Sequence, residues 1–180
     1  DPHASPENRT AEWRVERKSG RISPLVLPPP GFRATHATWG SSGKRFYFHR
    51  KSVPNWVPTA LCSVNDQGED LRVHYETSQW KLGHSAASPD EKWLVADSQD
   101  ADNNPLVLAS TDGKEQHILC WPNMSQKTSK RPHQRSTFLP PHTDVDTHPG
   151  WSATGQYVHY TSDISGRSQI YAVPVSDLTS

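Results

Sequence analysis

Hydrophobic and polar positions alternate over short distances along this chain. The runs Lys44 to Phe48 (KRFYF), Lys92 to Ala96 (KWLVA) and Gln156 to Tyr160 (QYVHY) are rich in aromatic and β-branched residues, the composition of a pleated, half-buried strand. Each follows a tight-turn signal: Ser41-Ser42-Gly43, Pro89-Asp90-Glu91 and Ala153-Thr154-Gly155. Further strands are predicted at Thr59 to Val64, Leu106 to Ala109 and Gln169 to Val173, with hairpin turns at Asn65 to Gly68 and Thr111 to Gly113. No window shows a sustained helical period. The predicted class is all-β.

The same pattern recurs three times without a gap. His36-Ala-Thr-Trp39 leads through Gly43 to Phe48, His84-Ser-Ala-Ala87 through Glu91 to Ala96, and His148-Pro-Gly-Trp151 through Gly155 to Tyr160. The starts lie 48 residues (84 − 36) and 64 residues (148 − 84) apart. The first spacing fits one four-stranded blade of a β-propeller, which takes roughly 40–50 residues. The second fits a blade with a long insertion, Pro122 to Val145. Residues 1–33 then hold the outer strands of a preceding blade (Trp13 to Arg17, Ile22 to Leu27) and a linker. Residues 34–81 make one blade, 82–145 a second with its insertion, and 146–180 an incomplete third. The expectation is one propeller domain with about three and a half to four antiparallel blades. The innermost strands are expected at 34–39, 82–87 and 146–151. A ring closes with four to eight blades, so the remainder, in further sequence or another subunit, is an expected partner. Trp39 and Trp151 share one register and are expected to pack between blades.

Composition narrows the function classes. Lys+Arg and Asp+Glu are 19 each, so there is no basic excess of the kind nucleic-acid or membrane-surface partners demand. No apolar run approaches the ~18 residues of a membrane-spanning helix, and Asp1-Pro2-His3 does not open a signal peptide. Cys62 and Cys120 give no disulfide framework and are expected to be buried free thiols. A periplasmic or secreted location is expected, with a cytoplasmic one left open.

The shared register of His36, His84 and His148 is the main candidate chemistry. The chain has 10 histidines in 180 residues, so all three repeats would carry one at a given register about once in several thousand random cases, and roughly once in a few hundred when every aligned position is allowed for. The strand before the turn is innermost in a blade, so residues at one register converge on the central channel. Asp146 lies two residues before His148 and shares its strand face. His84, His148 and Asp146, with His142 or Asp144 as a fourth, make a mixed nitrogen and oxygen set suited to Mn²⁺, Zn²⁺, Fe²⁺ or Ni²⁺. The competing interpretation is histidines that only hydrogen-bond across blades. His49, His74, His117 and His159 fall on outer strands and are assigned to packing or surface. In the insertion, Arg131 and Arg135, with Lys127, Lys130 and His133, form either a solvated basic loop or a clamp for substrate carboxylates. Trp56, Trp80 and Trp121 are blade packing or sugar-stacking platforms.

Ser88-Pro89-Asp90 and Tyr160-Thr161-Ser162-Asp163 … Gly166 … Gln169-Ile170-Tyr171 resemble the repeats of TolB-like and prolyl-oligopeptidase-type propellers, which host many activities. A narrower resemblance is to the oligogalacturonate lyases, seven-bladed polysaccharide lyases. His84 before Ser-Pro-Asp and His148-Pro149 before Trp-Ser match that family's metal ligands, and His36, one blade earlier, matches its proposed catalytic base. The chain departs from the family pattern at Asp146, where the family has a further His, and at Thr143, where it has Gln. The resemblance implies a metal-assisted lyase, with manganese as the expected ion, that cleaves an acidic, uronate-containing oligosaccharide by β-elimination. The alternatives are a non-catalytic TolB-like propeller binding a protein or peptide, and the propeller domain of a larger peptidase.

Overall fold

A computed structural model of the chain describes residues 10–99, 104–123 and 145–178. They form thirteen strands in four antiparallel sheets, with no helix among the described residues. The first sheet pairs β1 (Glu12–Val15) with β2 (Ile22–Val26). The second is a complete blade in sequence order: β3 (Phe32–Trp39), β4 (Arg45–Ser52), β5 (Thr59–Asn65) and β6 (Arg72–Thr77). The third repeats it with β7 (Leu82–Ala87), β8 (Trp93–Ser98), β9 (Leu106–Ser110) and β10 (Gln116–Cys120). The last holds β11 (Gly150–Trp151), β12 (Tyr157–Ser162) and β13 (Gln169–Pro174).

Period-2 alternation explains how the sheets stack. On β4, Phe46 and Phe48 face the first sheet, where they pack with Leu25 and Val26. Tyr47 faces the other way and packs with Leu82, Leu94 and Val107 of the next blade. Val95 and Leu108 then turn to Val158 and Val175 of the last sheet. The middle strands of a stacked blade are therefore covered on both faces. Every residue of β8 and β9 is buried, which is why these strands are near-continuous apolar runs in the sequence.

The turns after the innermost strands need a left-handed residue. Gly43 (φ 68°) and Gly155 (φ 72°) supply it in two blades, and Glu91 (φ 58°) in the third. The non-glycine is held by what its carboxylate accepts from the preceding blade: the Ser42 amide (2.6 Å) and the Tyr47 hydroxyl (3.2 Å). Gly40 leaves room for that carboxylate, since a Cβ there would sit 2.5 Å from its carbon.

Two expectations need correction. The last innermost strand is Gly150–Trp151 rather than 146–151, because residues 145–149 make no ladder pairs. Trp39 is 45% exposed and meets the Phe46 ring edge-on, whereas Trp151 is half-buried and donates its indole N–H to the Ala86 carbonyl (3.1 Å). The difference is in the neighbour. Trp151 has the innermost strand β7 of the preceding blade to lean on. Trp39 follows a two-stranded sheet that offers none among the described residues.

Candidate metal centre

The histidines sit on local breaks in the β ladder. Between the pairs Thr35↔His49 and Thr38↔Tyr47, β3 has two residues, His36 and Ala37, opposite the single Phe48. Between Leu82↔Ser98 and Ser85↔Ala96, β7 has Gly83 and His84 opposite the single Asp97. Each is a β-bulge, offset by one position between the two blades, and each turns one side chain out of the sheet's alternation. His36 takes a left-handed backbone (φ 53°), as does His148 (φ 41°). Around His148 the burial still alternates: Val145, Thr147 and Pro149 are buried, and Asp146 and His148 are exposed.

The three predicted histidines come together. The rings of His84 and His148 stack with centroids 3.6 Å apart, and His36 meets His84 edge-on at 5.0 Å. Asp146 Oδ2 lies 3.7 Å from His148 Nε2. One ligating atom from each of His84, Asp146 and His148 falls within 4.8 Å of the others. Donors bound at about 2.1 Å lie at most about 4.2 Å apart, so the set closes on one ion only if the stacked His148 ring turns to aim a nitrogen at the same point as His84. His142, Arg131 and Arg135 lie outside the described residues, as do Thr143 and Asp144.

Asp97, which sequence reasoning passed over, organises the centre. Its carboxylate is buried and accepts three hydrogen bonds: from the His84 amide (2.5 Å), from His84 Nδ1 (3.0 Å) and from the His148 amide (3.3 Å). A carboxylate only accepts, so the His84 proton is on Nδ1 and the Nε2 lone pair is left for a ligand, as in carboxylate–histidine–metal arrangements. Gly83 permits this contact, because a Cβ there would lie 2.6 Å from Asp97 Oδ1. The donor set therefore fits a divalent cation held by His84, His148 and Asp146.

Behind His36 lies a second layer that was also missed. His49 and Lys51 share the face of β4 that carries Tyr47, and both are buried. His49 hydrogen-bonds the Ser85 hydroxyl (2.7 Å) and packs 5.6 Å from the His36 ring. Lys51 Nζ is 3.4 Å from His36 Nδ1, which also meets the Thr35 hydroxyl at 3.1 Å. Partial desolvation of the ring, although the residue as a whole is exposed, then the Lys51 charge and the neighbouring His84, push the His36 pKa down to about 4, with Asp97 acting the other way. His36 is therefore neutral at physiological pH. Burial pushes Lys51 down to about 8, with Asp97 acting the other way, so it stays cationic at pH 7. His74, in contrast, is a tie between blades: it joins the Ser63 hydroxyl (2.7 Å) to the Thr111 carbonyl (2.6 Å).

No protein-family profile and no curated protein sequence matches the chain. Solved structures do. An oligogalacturonate lyase in complex with manganese matches with a TM-score of 0.72 and 18% identity over 94% of this chain and 43% of that one. The oligogalacturonate lyase of Vibrio parahaemolyticus matches at 0.73 and 18% identity, over 99% and 46%. The fold is that of an oligogalacturonate-lyase-like, TolB-like propeller. TolB of Acinetobacter baumannii, at TM-score 0.67 and 14% identity over 98% of this chain and 37% of that one, shares it. Propellers of peptidases are among the further matches. The chain spans less than half the length of each of these proteins. At such identities the likeness establishes the architecture and leaves the activity to the site.

Proposed function

We propose that the protein to which this chain belongs is a metal-assisted polysaccharide lyase acting on a uronate-containing glycan. The observation that carries the proposal is the Asp97-oriented His84, stacked on His148 beside Asp146, with a neutral histidine against it. A purely structural histidine row has no need of a buried carboxylate that fixes the tautomer of one member.

His84, His148 and Asp146 would hold the cation, manganese being the ion bound in one structural neighbour. The chemistry it supplies is neutralisation of the uronate carboxylate, which acidifies the proton on the adjacent carbon. His36 has no carboxylate on its own strand, Ala34 occupying the position two residues before it, and it is uncharged at neutral pH. His36 would accept the proton at a ring nitrogen, the C–H electron pair would become the new double bond, and the C–O bond would break with its electron pair going to the glycosidic oxygen, which water protonates. Arg131 and Arg135 are assigned to the anionic substrate on their chemistry alone.

The test uses the full-length protein with His36→Asn, His84→Ala and His148→Asn. Loss of a ligand lowers manganese stoichiometry and uronate-lyase rate together, and excess metal restores part of the rate. Loss of His36 leaves metal content intact and lowers turnover roughly 10²–10⁴-fold, read as absorbance near 235 nm. Normal metal content and rate in all three variants would replace the lyase with a TolB-like module that binds a protein or peptide.

A further inference from the structure

Lys51 is the feature this mechanism leaves unused. The residue is 2% exposed, yet it stays largely cationic at pH 7. Its contacts are His36 Nδ1 at 3.4 Å and the face of Trp56, whose ring centroid is 4.7 Å from Nζ. Among the described residues no carboxylate pairs with it. Asp97, the one anion that acts on it, is already committed to His84 and His148. A buried cation without a counter-charge destabilises a fold, and replacing it with an apolar side chain of similar size is often neutral or stabilising. Its retention needs a reason other than stability.

Trp56 supplies one. The indole is 40% exposed on the β4–β5 connection, although Lys51 covers one of its faces. It is held there by a left-handed backbone (φ 70°), rare for a bulky residue, and by its amide bond to the Ser52 carbonyl (2.9 Å). Strain of this kind collects at ligand clamps. An indole presenting an open face stacks on the C–H face of a sugar ring. A bare indole is indifferent to whether that sugar is charged. An ammonium fixed behind it, in a water-poor layer, turns the platform toward anions.

We infer that Trp56 and Lys51 together form a stacking subsite for an anionic sugar ring beside His36. The indole gives the contact and the buried ammonium gives the preference for a carboxylate over its ester. This rests on the glycan-lyase reading and adds the residues that select the charged sugar.

The experiment uses the full-length, manganese-loaded protein. The probes are galacturonic acid and its methyl ester, monosaccharides with no bond for the lyase to break, titrated by calorimetry. Trp56→Ala is expected to weaken both ligands at least tenfold. Lys51→Met is expected to weaken the acid about tenfold, leave the ester within twofold, and melt at or above the wild-type temperature. Lys51→Arg is expected to keep the acid preference, which separates charge from packing. Wild-type binding of the acid, with the same acid-to-ester ratio in Lys51→Met, overturns the subsite and leaves the lyase standing. So does unchanged affinity in Trp56→Ala. Failure of the wild type to bind either sugar overturns the glycan reading and the subsite together.

Discussion

Replacing Asp97 with Asn probes the centre without changing its shape. One oxygen keeps the His84 amide, the 2.5 Å bond to Oδ1. The other becomes an NH₂ that faces two donors, His84 Nδ1–H and the His148 amide. The imidazole escapes by moving its proton to Nε2, so that Nδ1 accepts from the new amide. That tautomer has no lone pair to give a metal. The His148 amide, part-buried, loses its acceptor, which costs up to about 1 kcal/mol. For a domain of about 150–250 residues each kcal/mol lowers the melting temperature by about 2–4 °C, and by less in a longer protein. Outer-shell partners of this type are worth roughly 10–100-fold in metal affinity. That corresponds to about 1.4–2.8 kcal/mol. The expected result for Asp97→Asn in the full-length protein is both losses together, by manganese calorimetry and thermal melting. Asp146→Asn, at an exposed ligand, should lose affinity without the thermal loss. A manganese Kd for Asp97→Asn within threefold of wild type would show that the Asp97–His84 bond does not set the ligand tautomer.

Three further outcomes follow from the packing. His49 and His74 are held below 6.5 by burial, so the fold keeps them neutral while the unfolded chain takes up protons; stability is complete above about pH 6.5 and falls on acidification, and equal urea midpoints at pH 7.5 and 5 would contradict this. Trp151→Ala should cost about 3 kcal/mol and the exposed Trp39→Ala no more than about 1.5 kcal/mol in chemical denaturation, equal losses counting against the blade-contact argument. Glu91→Gly relieves the left-handed backbone but removes the bonds to Ser42 and Tyr47, for a net loss of about 1–2 kcal/mol; an unchanged melting temperature would mean the interblade clamp is idle.

The blades were legible because turn chemistry and strand period agree. Gly43 and Gly155 mark the same left-handed turn, and KRFYF, KWLVA and QYVHY occupy the same second strand. The register of the three histidines was legible for the same reason. What alternation could not show was the bulge, since an extra residue in one strand is visible only against its partner. Asp97 left a faint signal: a carboxylate at the end of an otherwise apolar strand must find donors. His49 and Lys51 left none, because His-Arg-Lys at a strand end reads as a solvated edge until the next blade covers it.

The left-handed backbone at His36 and His148 sets which replacements these positions accept. Asn, Asp and Gly enter that region with little penalty, whereas Val, Ile and Thr resist it. A saturation library would therefore divide by backbone compatibility before it divides by chemistry. Oxygen donors pass that filter, and both positions lie off the ladder pairs, so neither ladder need shift to admit them. If His84, His148 and Asp146 hold the proposed cation, the His148 position can take a carboxylate or amide ligand in place of imidazole, which would favour harder cations.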